Sequence, residues 1–267
     1  MSELENYFHS RKKSSLFIPY FSLGDPNYED SIEWGKSILD GGADILELGI
    51  PFSDPVADGL VIQKSYKRAL DNNPFSMRKI FEVTSTLHQY KSGVPFVYLG
   101  YLNPIIRYGL GRFFQDAYAV GIRGMVIPDI PFDAKEYPEI RKKANQAKID
   151  IINLITPATL SDRVKEIGKA SGGFIYYVTS YGVTGERKNL DDDLEYRVNK
   201  LRKSISIPIA CGFGISNAAQ AKSISQFSDG VIIGSAIQKI IEENFSNKDH
   251  CKKTLHAFVK EVRSQMR

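Results

Sequence analysis

Histidine and cysteine are scarce in this chain of 267 residues, with four of the first and two of the second. His9, His88, His250 and His256 show no ligand spacing, and none ends a strand-like run, which argues against a histidine-held catalytic metal. Cys211 lies in an apolar run and Cys251 in a helical one, so both are expected to be reduced structural thiols. No run of about 18 apolar residues is present, and no membrane span is expected. The opening MSELENYFHSRKK has acids at Glu3 and Glu5 and no apolar centre, unlike a secretory leader, so a cytoplasmic protein is expected. Charge of one sign is also in short supply: the formal balance is +4, spread along the chain, and its only dense basic run is Arg11-Lys12-Lys13. Nucleic acid is therefore not an expected partner. Linkers and low-complexity tracts are missing too, and residues 1–267 are expected to form a single domain.

What is present is a strict alternation. Strand-like runs occupy Leu16–Phe21, Ile45–Ile50, Pro95–Tyr101, Gly124–Pro128, Asp150–Ile155, Gly173–Ser180, Ile207–Gly214 and Asp229–Ser235. A helical pattern follows each. Parallel strands joined by right-handed crossovers are the expected result, and eight such units close into a (β/α)₈ TIM barrel of the α/β class. Extra helices are expected at the N-terminus and as an insertion. The second-to-third gap has room for two, near 61–71 and 76–90, broken at Asn72-Asn73-Pro74. Asn27 and Asp30 signal a helix start, and Gly41-Gly42 its end. An open doubly wound sheet is the alternative, but no G-x-G-x-x-G opens the first unit.

The stretch ILELGIPFSDPVADG, Ile45 to Gly59, organises the rest. Strand alternation puts Ile45, Glu47 and Gly49 on one face and Leu46, Leu48 and Ile50 on the other. A carboxylate inside a strand buried on both sides is costly to ionise, so Glu47 calls for a chemical reason or for a buried arginine partner. Asp58 follows on the loop, where an ordinary loop or capping role is the simpler explanation. Asp54 and Asp129 sit beside prolines and read as turn residues. None of the strand runs contains lysine, which counts against a Schiff-base aldolase. Without histidine, lysine or metal at the strand ends, carboxylate acid–base chemistry remains. Glycine-rich ends of the last three strands suggest a phosphate site, since backbone N–H groups reach an anion only where side chains are absent. Tight turns would use the same glycines. Tyr20, Leu99, Tyr101, Tyr176 and Phe213 also lie near strand ends, either lining an apolar slot or packing the barrel.

These residues resemble a known family. LELGIPFSDPVADG is similar to the signature of the tryptophan synthase α chains, and the likeness runs along nearly the whole chain. It includes Leu23-Gly24-Asp25-Pro26, Tyr101 to Pro104, Pro128-Asp129-Ile130-Pro131, Gly182-Val183-Thr184-Gly185, Gly212-Phe213-Gly214-Ile215 and Gly234-Ser235-Ala236. The resemblance implies a barrel lyase of tryptophan biosynthesis that cleaves indole-3-glycerol phosphate to indole and glyceraldehyde 3-phosphate by a retro-aldol reaction. It implies no metal and no cofactor in this chain. The expected partner is a pyridoxal-phosphate-containing β chain that receives indole, in an α2β2 heterotetramer.

By the same resemblance Glu47 and Asp58 are the catalytic carboxylates. Gly185, Gly214, Gly234 and Ser235 bind phosphate, Tyr20, Leu99, Tyr101, Tyr176 and Phe213 form the substrate pocket, and Thr184 belongs to the closing loop. Glu47 is expected to have a raised pKa, and Asp58, on a wetter loop, to stay ionised. Two departures stand out: Tyr20 replaces the phenylalanine of many members, and the loop after the sixth strand reads Thr179-Ser180-Tyr181-Gly182. The rivals are an indole-glycerol-phosphate synthase, whose barrel lysine is missing here, and a weakly catalytic subunit that mainly activates a β chain.

Overall fold

The computed structural model describes residues 1–11, 14–179, 193–212 and 214–266. In chain order the elements are α1 (Glu3–Ser10), β1 (Leu16–Ser22), α2 (Tyr28–Gly41), β2 (Leu46–Gly49), α3 (Leu60–Asn72), α4 (Met77–Tyr90), β3 (Phe96–Leu99), α5 (Leu102–Tyr108), α6 (Leu110–Ala119) and β4 (Ile122–Val126). They continue as α7 (Tyr137–Gln146), β5 (Asp150–Ile152), β6 (Leu154–Ile155), α8 (Ser161–Ala170), β7 (Ile175–Val178), α9 (Leu194–Arg202), β8 (Ile209–Gly212), α10 (Ala218–Ser225), β9 (Gly230–Ile233), α11 (Ser235–Asn244) and α12 (Lys248–Gln265).

The strands form one parallel sheet in the order β5-β4-β3-β2-β1-β9-β8-β7-β6. Its two edges, β5 and β6, are consecutive in the chain with only Asn153 between them, so the sheet returns on itself as a barrel. The run Asp150–Ile155 divides because its halves pair with different neighbours, β5 with β4 and β6 with β7. Asn153 turns the corner: its side-chain amide donates to the Tyr137 hydroxyl at 2.7 Å and to Ser171 Oγ at 2.9 Å. The other seven predicted runs each overlap one observed strand, with ends displaced by a few residues: β1 runs one residue further, to Ser22, and β4 begins two residues earlier, at Ile122.

Period-2 alternation separates two cores. Residues pointing inward, such as Ile18, Tyr20, Ile45, Val97, Leu99 and Ile232, pack together inside the barrel. Their alternates, among them Phe17, Phe21, Leu46, Leu48 and Tyr98, pack against the surrounding helices. The barrel floor is closed by α1, whose Leu4 and Phe8 join the inner core, with the Phe8 ring 5.4 Å from that of Phe174. The helix end signals hold: Asn27 Oδ1 caps α2 by accepting from Asp30 N–H at 2.8 Å, and Gly42 stops it with φ of 107°. The two inserted helices, α3 and α4, fall where the gap between the second and third strands predicts them.

A buried ionic cluster ties the barrel to its helices at the C-terminal end of β1. Asp25, fully buried after β1, takes two hydrogen bonds from the Arg68 guanidinium of α3, at 2.9 and 2.8 Å. Arg68 also donates to Glu242 of α11 at 3.1 Å, and Gln238 of α11 bonds both Asp25 and the Ser22 N–H. Burial raises the Asp25 carboxyl above its ordinary value, and Arg68 offsets only part of that rise. Removing only the cation leaves a buried charge uncompensated, so Arg68→Met is expected to destabilise the fold by about 3 kcal/mol. Urea unfolding at pH 7 measures this; a loss under about 1 kcal/mol would show the cluster to be dispensable for stability.

Candidate active site

Glu47 sits at the second position of β2, in register with Tyr20 on β1 and Val97 on β3. It is 1% exposed, and neither carboxyl oxygen has a hydrogen-bond partner among the described residues. Among the described residues no arginine neutralises it. Desolvation, with a smaller contribution from the Asp58 charge, raises its pKa to about 8, so at neutral pH Glu47 is mainly the protonated acid.

Two residues further on, Gly49 leaves room for the Tyr20 phenol: a Cβ there would lie 2.1 Å from its hydroxyl oxygen. Beyond Gly49 the chain turns through Pro51–Asp58 and enters α3. Tyr101 holds this loop. Its hydroxyl donates to Asp58 Oδ2 at 2.6 Å and accepts the Ala57 N–H at 3.1 Å, while its ring stacks on Phe52 at 5.1 Å. The expectation of a wetter loop fails here, because Tyr101 and Phe52 cover the turn and Asp58 is only 6% exposed. Burial raises the Asp58 pKa to about 6, against the lowering effect of the Tyr101 hydrogen bond. The consequence expected for it survives: near pH 7 Asp58 is largely ionised while Glu47 is largely not.

Tyr20, Leu99, Tyr101 and Tyr176 all belong to the inner core near the ends of β1, β3 and β7. Tyr176 lies against Gly212, where a Cβ would come within 2.6 Å of its ring. Gly234 and Ser235 form the start of α11, which has no side-chain cap and no acidic residue in its first turn. It shares the missing cap with α3 and α5 to α9, whereas α1, α2, α4, α10 and α12 are each capped by a serine or asparagine side chain. An uncapped helix start presents free N–H groups and a positive dipole end, suited to an anion. Gly214, with φ of 77°, leads into α10. Phe213, Thr184 and Gly185, with the Ser180-Tyr181-Gly182 segment, lie outside the described residues. Both oxygens of Asp129 accept from the Leu102 N–H at the start of α5, at 3.0 and 3.1 Å, a structural contact to a residue 27 positions earlier rather than one within its own turn.

Sequence reasoning misses three hydroxyls beside Tyr20. Ser22, Ser65 and Tyr66 are fully buried, and Ser22 and Tyr66 bond the Tyr20 phenol directly. A signal for two of them exists, since Ser65 and Tyr66 share the buried face of α3 with Ile62 and Ala69. Polar residues on the inward stripe of an amphipathic helix need partners.

Comparison with known proteins places these features in context. The family described as "Tryptophan synthase alpha chain" matches residues 8–267. The tryptophan synthase alpha chain of Leptospira borgpetersenii is 52% identical over 100% of both chains, and that of Petrotoga mobilis is 42% identical over 98% of this chain and 99% of its own. Among solved structures, tryptophan synthase subunit alpha from Legionella pneumophila superposes with a TM-score of 0.89 at 28% identity, covering 100% of this chain and 98% of that one. A chain of Mycobacterium tuberculosis tryptophan synthase gives 0.88 at 29% identity, with 100% and 98% coverage.

The state of Glu47 is testable without any substrate. Its pKa is about 8 in the fold against an ordinary 4.5, so between those values the native chain binds more protons than the unfolded one. Stability from this group is complete below the ordinary value and is lost as pH rises towards 8. Glu47→Gln lacks that loss. Urea midpoints measured from pH 5 to 9 are expected to show the variant gaining on wild type as pH rises, levelling off above about 8. A difference independent of pH would mean Glu47 is not buried as an acid.

Proposed function

The chain belongs to the tryptophan synthase α chain family, and from that premise we propose how its own residues perform the family's reaction. It is a lyase that cleaves indole-3-glycerol phosphate to indole and glyceraldehyde 3-phosphate and supplies the indole to a β chain. The observation that carries the assignment of Glu47 is its buried carboxyl inside the barrel, without a partner among the described residues, where desolvation favours the protonated form.

In this scheme Glu47 gives its proton to C3 of the indole ring, which leaves positive charge on the ring nitrogen. Asp58, ionised and fixed by Tyr101, accepts a hydrogen bond from the indole N–H and stabilises that charge. The Glu47 carboxylate then takes the proton of the side-chain hydroxyl next to C3. The carbon–carbon bond breaks as the carbonyl of glyceraldehyde 3-phosphate forms, and its electrons return to the ring. The proton count closes on Glu47, which ends as it began. Gly214, Gly234, Ser235 and Gly185 are assigned to the phosphate; the bare start of α11 supports this for Gly234 and Ser235. Holding the phosphate orients the reacting end. Tyr20, Leu99, Tyr101, Tyr176 and Phe213 are assigned to the indole slot, and Thr184 to loop closure.

A β chain is the partner, and we infer an α2β2 assembly with pyridoxal phosphate held by the β chain. Exposed apolar side chains support docking at the catalytic end of the barrel: Val56, Leu60, Ile106 and Leu160 are 77%, 71%, 53% and 71% exposed, all following strand C-termini. The loops around Asn103–Ile105 and Asp129–Pro131 are the expected rim. Two buried free cysteines suit a reducing, cytoplasmic setting.

Indole release from indole-3-glycerol phosphate, with and without a β chain, tests the assignment. Glu47→Gln is expected to lose a factor of about 10³ or more, and Asp58→Asn about 10². Near-normal turnover by the first would remove Glu47 from the chemistry, and a purely KM effect in the second would make Asp58 a binding group. Activity requires Asp58 ionised and Glu47 protonated, so kcat/KM is expected to form a bell with limbs near pH 6 and 8, the apparent values of the pair. A profile flat from 5 to 9 would contradict this. Silence of the wild type even with the partner would recast the chain as an activating subunit.

A further inference from the structure

Gln238 is fully buried on α11, on the same covered face as Ile237 and Ile241. A buried amide is tolerated only when both of its ends are paired, and here each end meets a different partner. Its Oε1 accepts the Ser22 N–H at the end of β1, at 3.0 Å, and its Nε2 donates to Asp25 Oδ2. The pairing of β1 with β9 runs from Leu16 to Pro19, so Gln238 takes up a strand N–H three residues beyond that ladder. Its own backbone N–H closes the first turn of α11 on the Gly234 carbonyl, at 2.9 Å.

The two ends of the amide lead to the two carboxylates of the site. Ser22 lies in register with Gly49 on β2, two residues past Glu47, and the Leu23 N–H donates to the Gly49 carbonyl at 2.9 Å. Asp25 is gripped by the Arg68 guanidinium, and α3, which carries Arg68, begins two residues after Asp58. Glu242, one turn further along α11, accepts from the same guanidinium at 3.1 Å. One side chain therefore joins the start of α11 to both routes. An apolar residue of similar length would fill the same space and tie nothing, so packing alone does not account for an amide here.

We propose that Gln238 is a positioning residue that sets how far the start of α11 stands from the Glu47–Asp58 pair. That role rests on the assignment of Gly234 and Ser235 to the substrate phosphate. A substrate held at both ends reacts only when the span between its anchors matches its own length. The amide fixes that span through hydrogen bonds to groups that are themselves tied to β2 and α3. A phosphate bound alone makes no such demand, because the contacts at Gly234 and Ser235 travel with their helix.

Calorimetric titration of the full chain with two probes tests this. Glycerol 3-phosphate reaches only the phosphate end, whereas 3-(indol-3-yl)propyl phosphate, which lacks the hydroxyls and is not cleaved, spans both ends. In Gln238→Met the spanning probe is expected to bind about tenfold more weakly, with glycerol 3-phosphate within about twofold of wild type. Indole release by that variant is expected to lose about tenfold in kcat. Gln238→Glu keeps the shape and the Oε1 acceptor but sets a second carboxylate against Asp25. A proton shared by the two restores the donor, so its loss for the spanning probe, relative to wild type at the same pH, is expected to shrink from pH 8 to pH 6. This isosteric variant also serves if Gln238→Met does not fold. Unchanged affinity for the spanning probe would overturn the proposal, as would an equal loss for both probes, which means damage to the phosphate site itself. Ser235→Asp tests the reading beneath: a negative charge at the helix start is expected to weaken both probes about tenfold. No effect there would overturn the phosphate assignment, whereas an effect there with none at Gln238 would overturn the positioning role alone. The binding readouts need no turnover.

Discussion

The cost of burying one carboxyl group governs this structure. Glu47 sits where a folded chain gains most from an apolar residue, and the described residues offer it neither a cation nor a hydrogen bond. Such a group remains neutral at physiological pH because ionisation in that setting is more costly than holding the proton. The surrounding design follows from keeping it so. Asp58 must be close enough to act with it, yet keep a lower pKa, and the Tyr101 hydrogen bond supplies the difference. Among the described cations, Arg68 is engaged by Asp25 and Glu242 rather than by Glu47.

The scaffold links the ends of the substrate site through polar contacts rather than through the sheet alone. Gln238, one turn into the helix whose start is assigned to phosphate, accepts the Ser22 N–H and reaches Asp25. Asp25 is held by Arg68 of α3, the helix that begins two residues after Asp58. Ser22 also joins the hydroxyls around Tyr20. Displacing α11 relative to α3 would therefore break charged, buried hydrogen bonds, which makes the distance between the start of α11, proposed to hold phosphate, and the Glu47–Asp58 pair a well-determined quantity.

Much of this was legible from residue order. Alternating apolar runs and helix signals give the strand count and the two inserted helices, and period-2 reasoning puts Glu47 inside. The division of the fifth strand was not legible, because it arises from a change of pairing partner at Asn153, a tertiary event without a local pattern. Nor was the burial of Asp58. A loop of proline, serine and aspartate reads as solvated, and only the tertiary arrival of Tyr101, 43 residues further on, closes it. The extra hydroxyl of Tyr20 reads from sequence as polarity added to an apolar slot, whereas its partners Tyr66 and Ser22 take up that polarity internally. Hydroxyl pairs between a strand and a helix have no fixed sequence spacing, so nothing along the chain announces them.

The helix that closes the barrel floor bears on how the protein comes to be folded. Leu4 and Phe8 fit against Gly124 of β4, Gly173 just before β7 and Gly230 of β9, and Ser2 bonds Asp150 across a separation of 148 residues. None of these contacts can form until distant strands have been laid down beside one another. Loop closure over such separations is entropically slow, and it places α1 among the last elements to gain its native surroundings. During synthesis its apolar stripe would wait, uncovered, for almost the whole barrel to emerge. The short acidic start of α1, with Glu3 and Glu5 beside that stripe, suits a segment that must stay soluble on its own until then.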